Sequence, residues 1–298
     1  VTVTQPPIQF ITHLSEHLDN VSAVICDLWG VMHDGVDLFP DALCAIERLR
    51  EASIPVVFLS NAPRPISHVR GQLAAMGMPV ELLDMIVTSG ALACQAVRAD
   101  FEGAQLYHMG PSSDGNLLQG LPVTLVPDID KADVILASGL DYSTVDEHFP
   151  DMTVAAGRNI PLICANPDRI VHIGNELSIC AGAVADLYEA IGGNVIWTGK
   201  PAPLAMQACL IKLRVQIGDQ KDINPKDVLV IGDGLPTDVA GAKAFGAQSL
   251  LVSGGIHSAE VSSLVQHLGS KTISSAAFLA EVGEDLPIPD RLIPTLKW

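Results

Sequence analysis

Basic residues are scarce in this chain. Its 298 residues include 17 Lys and Arg against 34 Asp and Glu, a formal net charge of −17. A surface of that sign repels nucleic-acid phosphates and anionic lipid, so neither nucleic acid nor a membrane is expected as a partner. A small anion is compatible only where a local cation or metal holds it. No CxxC pair occurs among Cys26, Cys44, Cys94, Cys164, Cys180 and Cys209, which argues against a zinc site or a dithiol motif. Several of these cysteines sit in apolar runs as small hydrophobes, and a reducing, cytoplasmic setting is expected. The opening VTVTQPPIQF has no basic region ahead of an apolar stretch, so no secretory signal is expected. No apolar run approaches the ~20 residues that span a bilayer. Internal repeats and low-complexity runs are absent too.

What is present is an apolar chain, 48% hydrophobic, long enough for one large or two ordinary domains. Short apolar runs alternate with helical stripes. Strands are expected over 21–26, 55–60, 84–89, 105–109, 133–138, 160–165, 194–198, 227–231 and 248–252. Helices are expected over 41–52, 61–77, 238–245 and before Gly192. Leu204, Ala208, Ile211 and Val215 describe another apolar stripe. A short helix is expected near 9–18. The tail from Pro287 to Trp298 holds three prolines and is expected to lie extended over the surface. The alternation implies a Rossmann-like, doubly wound parallel α/β sheet with an inserted smaller α/β domain. The expected boundaries are 1–89 and 188–298 for the core and 90–187 for the insertion.

The chain is organised around VSAVICDLWGVMHDG, residues 21–35. An apolar strand closes on Asp27 where ligands bind in open α/β sheets. Three further strand ends carry polar groups: Ser60 with Asn61, Lys200 in GKPAP, and Asp233 with Asp238 in GDGLPTD. Taken singly, Asp27 is a strand cap, Ser60–Asn61 a helix cap, Lys200 a solvated lysine, Gly232–Asp233–Gly234 a turn and Thr237 or Asp238 a helix cap. Taken together at one sheet edge, they supply a carboxylate nucleophile, phosphate-binding groups, a cation and metal-binding carboxylates. That is a kit for phosphoryl transfer through an aspartyl-phosphate. Magnesium prefers such oxygen ligands.

DLWGV, FLSNAPR, TGKPAP and VLVIGDGLPTDVAGA resemble, in order, the four motifs of the haloacid dehalogenase superfamily. The long insertion, with ICANPD at 163–168 and CAGA at 180–183, resembles its class IIA, whose cap is a separate α/β unit. Members of that class include N-acetylglucosamine-phosphate, nitrophenyl-phosphate and pyridoxal-phosphate phosphatases. The resemblance implies Asp27 as nucleophile, with Lys200 beside it in catalysis. It implies Ser60, Asn61 and Lys200 on the phosphoryl group. It also implies Mg²⁺ held by Asp27, the carbonyl of Trp29, Asp233 and Asp238. The substrate implied is a small phosphorylated metabolite. Caps of this class often pair, which leaves a homodimer open.

One position departs from the family pattern Asp-x-Asp. Trp29 stands where the general acid and base belongs, and indole cannot exchange a proton near neutral pH. General acid–base help is worth about 10²- to 10⁴-fold. Three readings follow, in this order: a slow or specialised phosphatase with a substitute acid, His33 or Asp34 being candidates beside their reading as turn residues; a silent module that binds a phosphorylated metabolite; and a dehalogenase-like hydrolase. The acidic fourth motif speaks against the last, which needs no metal.

Overall fold

The computed structural model describes residues 6–173, 176–218, 223–256, 261 and 272–298, with side chains at all of these except 172, 173, 176 and 177. The chain forms two compact units. The first comprises residues 1–59, 73–86 and 206–298, and the second residues 60–72 and 87–205.

The first unit is built on an eight-stranded sheet. Its strands are β1 (Ile8–Phe10), β2 (Ala23–Cys26), β3 (Val56–Ser60), β4 (Ile86–Thr88), β12 (Val228–Gly232), β13 (Gln248–Val252), β14 (Thr272–Ile273) and β15 (Arg291–Ile293), in the order β14-β1-β15-β13-β12-β2-β3-β4. The ladders β1·β15, β15·β13, β13·β12, β12·β2 and β2·β3 are parallel, and β1·β14 is antiparallel. β2, β3 and β12 are buried along their whole length. They read accordingly as unbroken apolar runs, as strands covered on both faces do. Around this sheet lie α1 (Pro40–Glu51), α7 (Ala240–Phe245) and α8 (Ser275–Val282); α2 (Ile66–Ala75) and α6 (Pro203–Ile217) are shared between the two units.

The second unit carries its own five-stranded parallel sheet. It is made of β5 (Gln105–Met109), β6 (Thr124–Leu125), β7 (Val134–Ala137), β8 (Leu162–Cys164) and β11 (Val195–Trp197), in the order β11-β8-β7-β5-β6. Between β8 and β11 comes an antiparallel hairpin of β9 (Ile170–Ile173) and β10 (Glu176–Ile179). Helices α3 (Ser89–Asp100), α4 (Phe149–Gly157) and α5 (Ala181–Ala190) belong to this unit. One core lies among Ile135, Met152, Leu162, Val184 and Tyr188, and another among Val97, Leu106, Val134 and Ile163.

Four expectations are corrected. The insertion does not end at 187: β11 pairs with β8, Val195 opposite Leu162, so the second unit runs on to Ala205. The strand before Lys200 therefore belongs to the five-stranded sheet, not to the sheet that carries Asp27. The stretch 9–18 begins as strand β1 and holds only a single helical turn, Leu14–His17. The proline-rich tail does not lie on the surface. Its Arg291–Ile293 segment is β15, an interior strand between β1 and β13, with Leu292 and Ile293 wholly buried. In α6 the helix stands, but the stripe Leu204, Ile211, Val215 faces outward, and Ala205, Met206, Cys209, Leu210 and Leu213 are the buried residues.

Candidate active site

Asp27 follows β2 directly. Its backbone N–H donates to the Ile231 carbonyl of β12 at 2.8 Å, so the two neighbouring strand ends are tied together. Its Oδ1 accepts from the Leu28 N–H at 2.8 Å. Asp233 follows β12, and its Oδ2 accepts from the Ile256 N–H at 2.9 Å. Past Asp233 the chain makes a wide helical turn, Leu235–Val239, in which both Asp238 N–H and Val239 N–H reach the Gly234 carbonyl. Wide turns of this kind often mark functional sites. Here the turn brings Asp238 back, where its Oδ2 accepts from Gly234 N–H and the Thr237 hydroxyl at 3.2 and 3.3 Å.

The result is a group of three buried carboxylates. Ligand oxygens of Asp27, Asp233 and Asp238 all lie within 4.8 Å of one another. The side chains are 8%, 8% and 2% exposed. The approach is close enough to dictate a neighbour: Gly30 has a φ of +76°, and a Cβ there would run into the Asp233 carboxylate. Three carboxylates so near each other repel strongly unless a cation or protons offset them. An all-oxygen donor set of this charge suits a hard divalent cation such as Mg²⁺.

Trp29 contributes no side chain to that group. It is 38% exposed, and its ring packs edge-on to His33 with centroids 5.3 Å apart and lies over Gly35, where a Cβ would meet the indole. The loop it belongs to is closed by Gly30 N–H to His33 O and Phe39 N–H to Met32 O, each 2.8 Å. His33 and Asp34 are both spent on the same loop. The His33 Nδ1 accepts from Gly35 N–H at 2.9 Å, and burial lowers its pKa against an opposing pull from Asp34. Neutral His33 thus carries its proton on Nε2. The Asp34 Oδ1 accepts from Val36 and Asp37 N–H, both 2.9 Å, and the bonds to Asp37 and Val36 lower its pKa. A histidine held neutral and a carboxylate held ionised are poor proton donors, so the turn-residue reading fits both.

The other predicted residues meet in the second unit. Ser60 Oγ accepts from the Ala62 N–H at 3.2 Å, which leaves the hydroxyl proton for another acceptor. Asn61 and Lys200 are 4% and 2% exposed. The Asn61 amide is engaged with protein. Its Oδ1 accepts from Lys200 N–H at 2.8 Å, and its Nδ2 donates to Asp168 Oδ1 at 2.8 Å and to the Lys200 carbonyl at 3.3 Å. Thr198 and Ser89, both fully buried, complete the bundle. The Thr198 hydroxyl bonds to Cys164 O and Ser89 O, and the Ser89 hydroxyl to Ala62 O and Ala165 O.

Two residues here were not singled out from sequence. Asp168 lies in the NPD segment quoted for the insertion, but nothing in the segment points to Asn61. Arg64 makes a 2.6 Å ion pair with the buried Asp114, in a loop that reads simply as polar and Gly-rich. Other cations of the insertion play structural parts: Arg158 reaches the Asp130 carbonyl, and Arg169 forks onto Asp186. The His172 side chain lies outside the described residues.

The chain is similar to known hydrolases along most of its length. Residues 24–123 match the family described as haloacid dehalogenase-like hydrolase, and residues 197–275 match a second model of the same hydrolase type. A solved haloacid dehalogenase-like hydrolase from Brucella suis is 30% identical, with 96% of this chain and 99% of that one covered, at a TM-score of 0.79. Ribonucleotide monophosphatase NagD of Escherichia coli is 26% identical over 80% of this chain and 90% of that protein. The acid sugar phosphatase of Staphylococcus saprophyticus is 27% identical over 74% and 82%. The chain belongs to the haloacid dehalogenase-like hydrolases. Within them it falls in the capped class IIA group, an enzyme of the phosphatase class.

Proposed function

We propose that this enzyme is a Mg²⁺-dependent phosphatase that cleaves a small phosphorylated metabolite through an aspartyl-phosphate on Asp27. The observation that carries the reading is the buried set Asp27, Asp233 and Asp238, whose oxygens gather within 4.8 Å. The set fits Mg²⁺, with Asp27, Asp233, Asp238 and the Trp29 carbonyl as its holders. Bound there, the ion supplies positive charge that offsets the phosphoryl oxygens and the carboxylates.

The chain's own groups do the rest. An Asp27 oxygen attacks phosphorus, the O–P bond forms and the ester P–O bond breaks, and the departing alcohol oxygen takes its proton from solvent because residue 29 offers none. Water then attacks the acyl phosphate, releasing inorganic phosphate and restoring Asp27. Ser60 and Lys200 hold the phosphoryl oxygens, and Asn61 acts through Lys200. The names of the relatives, a ribonucleotide monophosphatase and a sugar phosphatase, support a sugar phosphate or nucleotide as the substrate class. The free thiols support a reducing, cytoplasmic setting. A homodimer belongs to the same proposal and is read from the molar mass in solution.

Trp29, with His33 and Asp34 both committed to its loop, favours a second reading: a module that binds a phosphorylated metabolite and turns it over poorly. A screen of sugar phosphates and nucleotides with Mg²⁺, run on wild type and Trp29→Asp, separates the two. The phosphatase reading expects phosphate release by wild type on at least one class, and a rise in the variant. Release by neither protein, with ligand still bound, sinks it in favour of the module.

A further inference from the structure

Lys200 is nearly buried, and a lysine has four rotatable bonds over which to misplace its charge. The backbone that carries it is held by a side chain. Asn61 grips the Lys200 peptide at both ends, taking the N–H on Oδ1 and giving an Nδ2 proton to the carbonyl. Its other Nδ2 proton goes to Asp168 Oδ1 at 2.8 Å, a contact between residues 107 positions apart. A primary amide has two donor hydrogens and one acceptor oxygen, and all three are now used. The fit is tight enough that residue 199 must be Gly, since a Cβ there would strike Asn61 Oδ1 and Pro167.

Asp168 is itself held. Its neighbour Arg169 forks onto both oxygens of Asp186 at 2.7 and 2.9 Å, bonds the Pro167 carbonyl, and lies 5.1 Å from the centre of the Trp197 ring. Gly182 N–H donates to the Asp168 carbonyl. The β8–β9 loop is thereby anchored to α5 and to β11, the strand that leads into Lys200.

We infer that Asn61 and Asp168 are positioning residues for Lys200: the Asp168 carboxylate orients the Asn61 amide, and the amide sets the Lys200 backbone from which the ammonium reaches the phosphoryl group. The inference rests on the phosphatase reading for what Lys200 does once placed. It explains why a polar amide beside Ser60 is buried and fully bonded to protein, rather than left open to a ligand.

The test uses the whole enzyme with Mg²⁺ and p-nitrophenyl phosphate, reading kcat/KM, the inhibition constant of inorganic phosphate, and the thermal midpoint. Asp168→Ala and Asn61→Ala are each expected to lower kcat/KM at least tenfold and to weaken phosphate inhibition in step. Asp168→Asn keeps an acceptor oxygen of the same reach and is expected to stay within threefold of wild type. Because both residues act along one route, the double Ala variant should fall no further than the worse single one. Losses that multiply in the double variant, or an Asp168→Asn as impaired as Asp168→Ala, would overturn the inference, as would single variants within twofold of wild type. Wild-type protein that neither cleaves the ester nor binds phosphate overturns the phosphatase reading itself, a failure seen before any variant is made.

Discussion

Asp27, Asp233 and Asp238 could be read from the sequence because each stands at or just beyond the end of an apolar run, and parallel strands bring such ends together. The partnership of Asn61 with Asp168 could not, since no local pattern links residues so far apart in the chain. Trp29 is the residue on which turnover hinges. Replacing it with Asp restores a carboxyl where the family keeps one, at the cost of the packing on His33 and Gly35. Trp29→Asp is expected to raise kcat on alkyl phosphates by about 10²-fold, while losing about 1–2 kcal/mol of stability. Steady-state assays and urea titrations of the same preparation read both, and a variant as slow as wild type would mean that the missing acid is not what limits the site. Gly30→Ala probes the acidic group from the other side. It sets a methyl against Asp233 and strains a left-handed backbone by about 1–2 kcal/mol. Calorimetry should show Mg²⁺ affinity at least ten times weaker, and unchanged affinity would show that Asp233 can move aside freely.

At the scale of elements, helix and strand positions in the parallel sheets were largely legible, and their faces less so. PLAMQACLIKLRVQI is apolar on more than one side, so spacing alone cannot choose which stripe of α6 is buried. Leu213→Ala should cost about 2–5 kcal/mol, and Ile211→Lys, on the exposed stripe, less than about 0.5 kcal/mol. Equal costs in chemical denaturation would contradict the assignment of the buried face. β15 was hidden by the prolines around it, which mark turns in most contexts but here bracket a strand of three residues. Because Leu292 sits wholly buried in an interior strand, Leu292→Ala should also cost about 2–5 kcal/mol, where a surface tail would lose almost nothing.

For the whole molecule, the repeated strand–helix alternation gave the α/β class but concealed where one unit hands over to the other. Both units are built on mainly parallel sheets reached by the same strand–helix alternation, so no change of pattern marks residue 205. Charge and titration also act at this scale. Burial lowers the pKa values of His33, His108 and His148, each against partial opposition from nearby carboxylates. In the unfolded chain these histidines titrate near ~6.5 and there bind more protons than the folded form does. Their contribution to stability is therefore complete above that pH and is lost progressively as the pH falls through the lowered folded values. With saturating Mg²⁺ offsetting the three carboxylates, the urea midpoint should drop between pH 7.5 and pH 5.5, and a midpoint that rose on acidification under that condition would contradict these burials.

The most direct measurement is the release of p-nitrophenol from p-nitrophenyl phosphate across a Mg²⁺ titration, with wild type and Asp27→Asn side by side. An aryl leaving group needs no protonation, so the assay bypasses Trp29. Release is expected to saturate with Mg²⁺, to disappear in chelator and to be absent from Asp27→Asn at every metal concentration; release that ignores the metal, or survives in Asp27→Asn, would contradict a metal-assisted attack by Asp27.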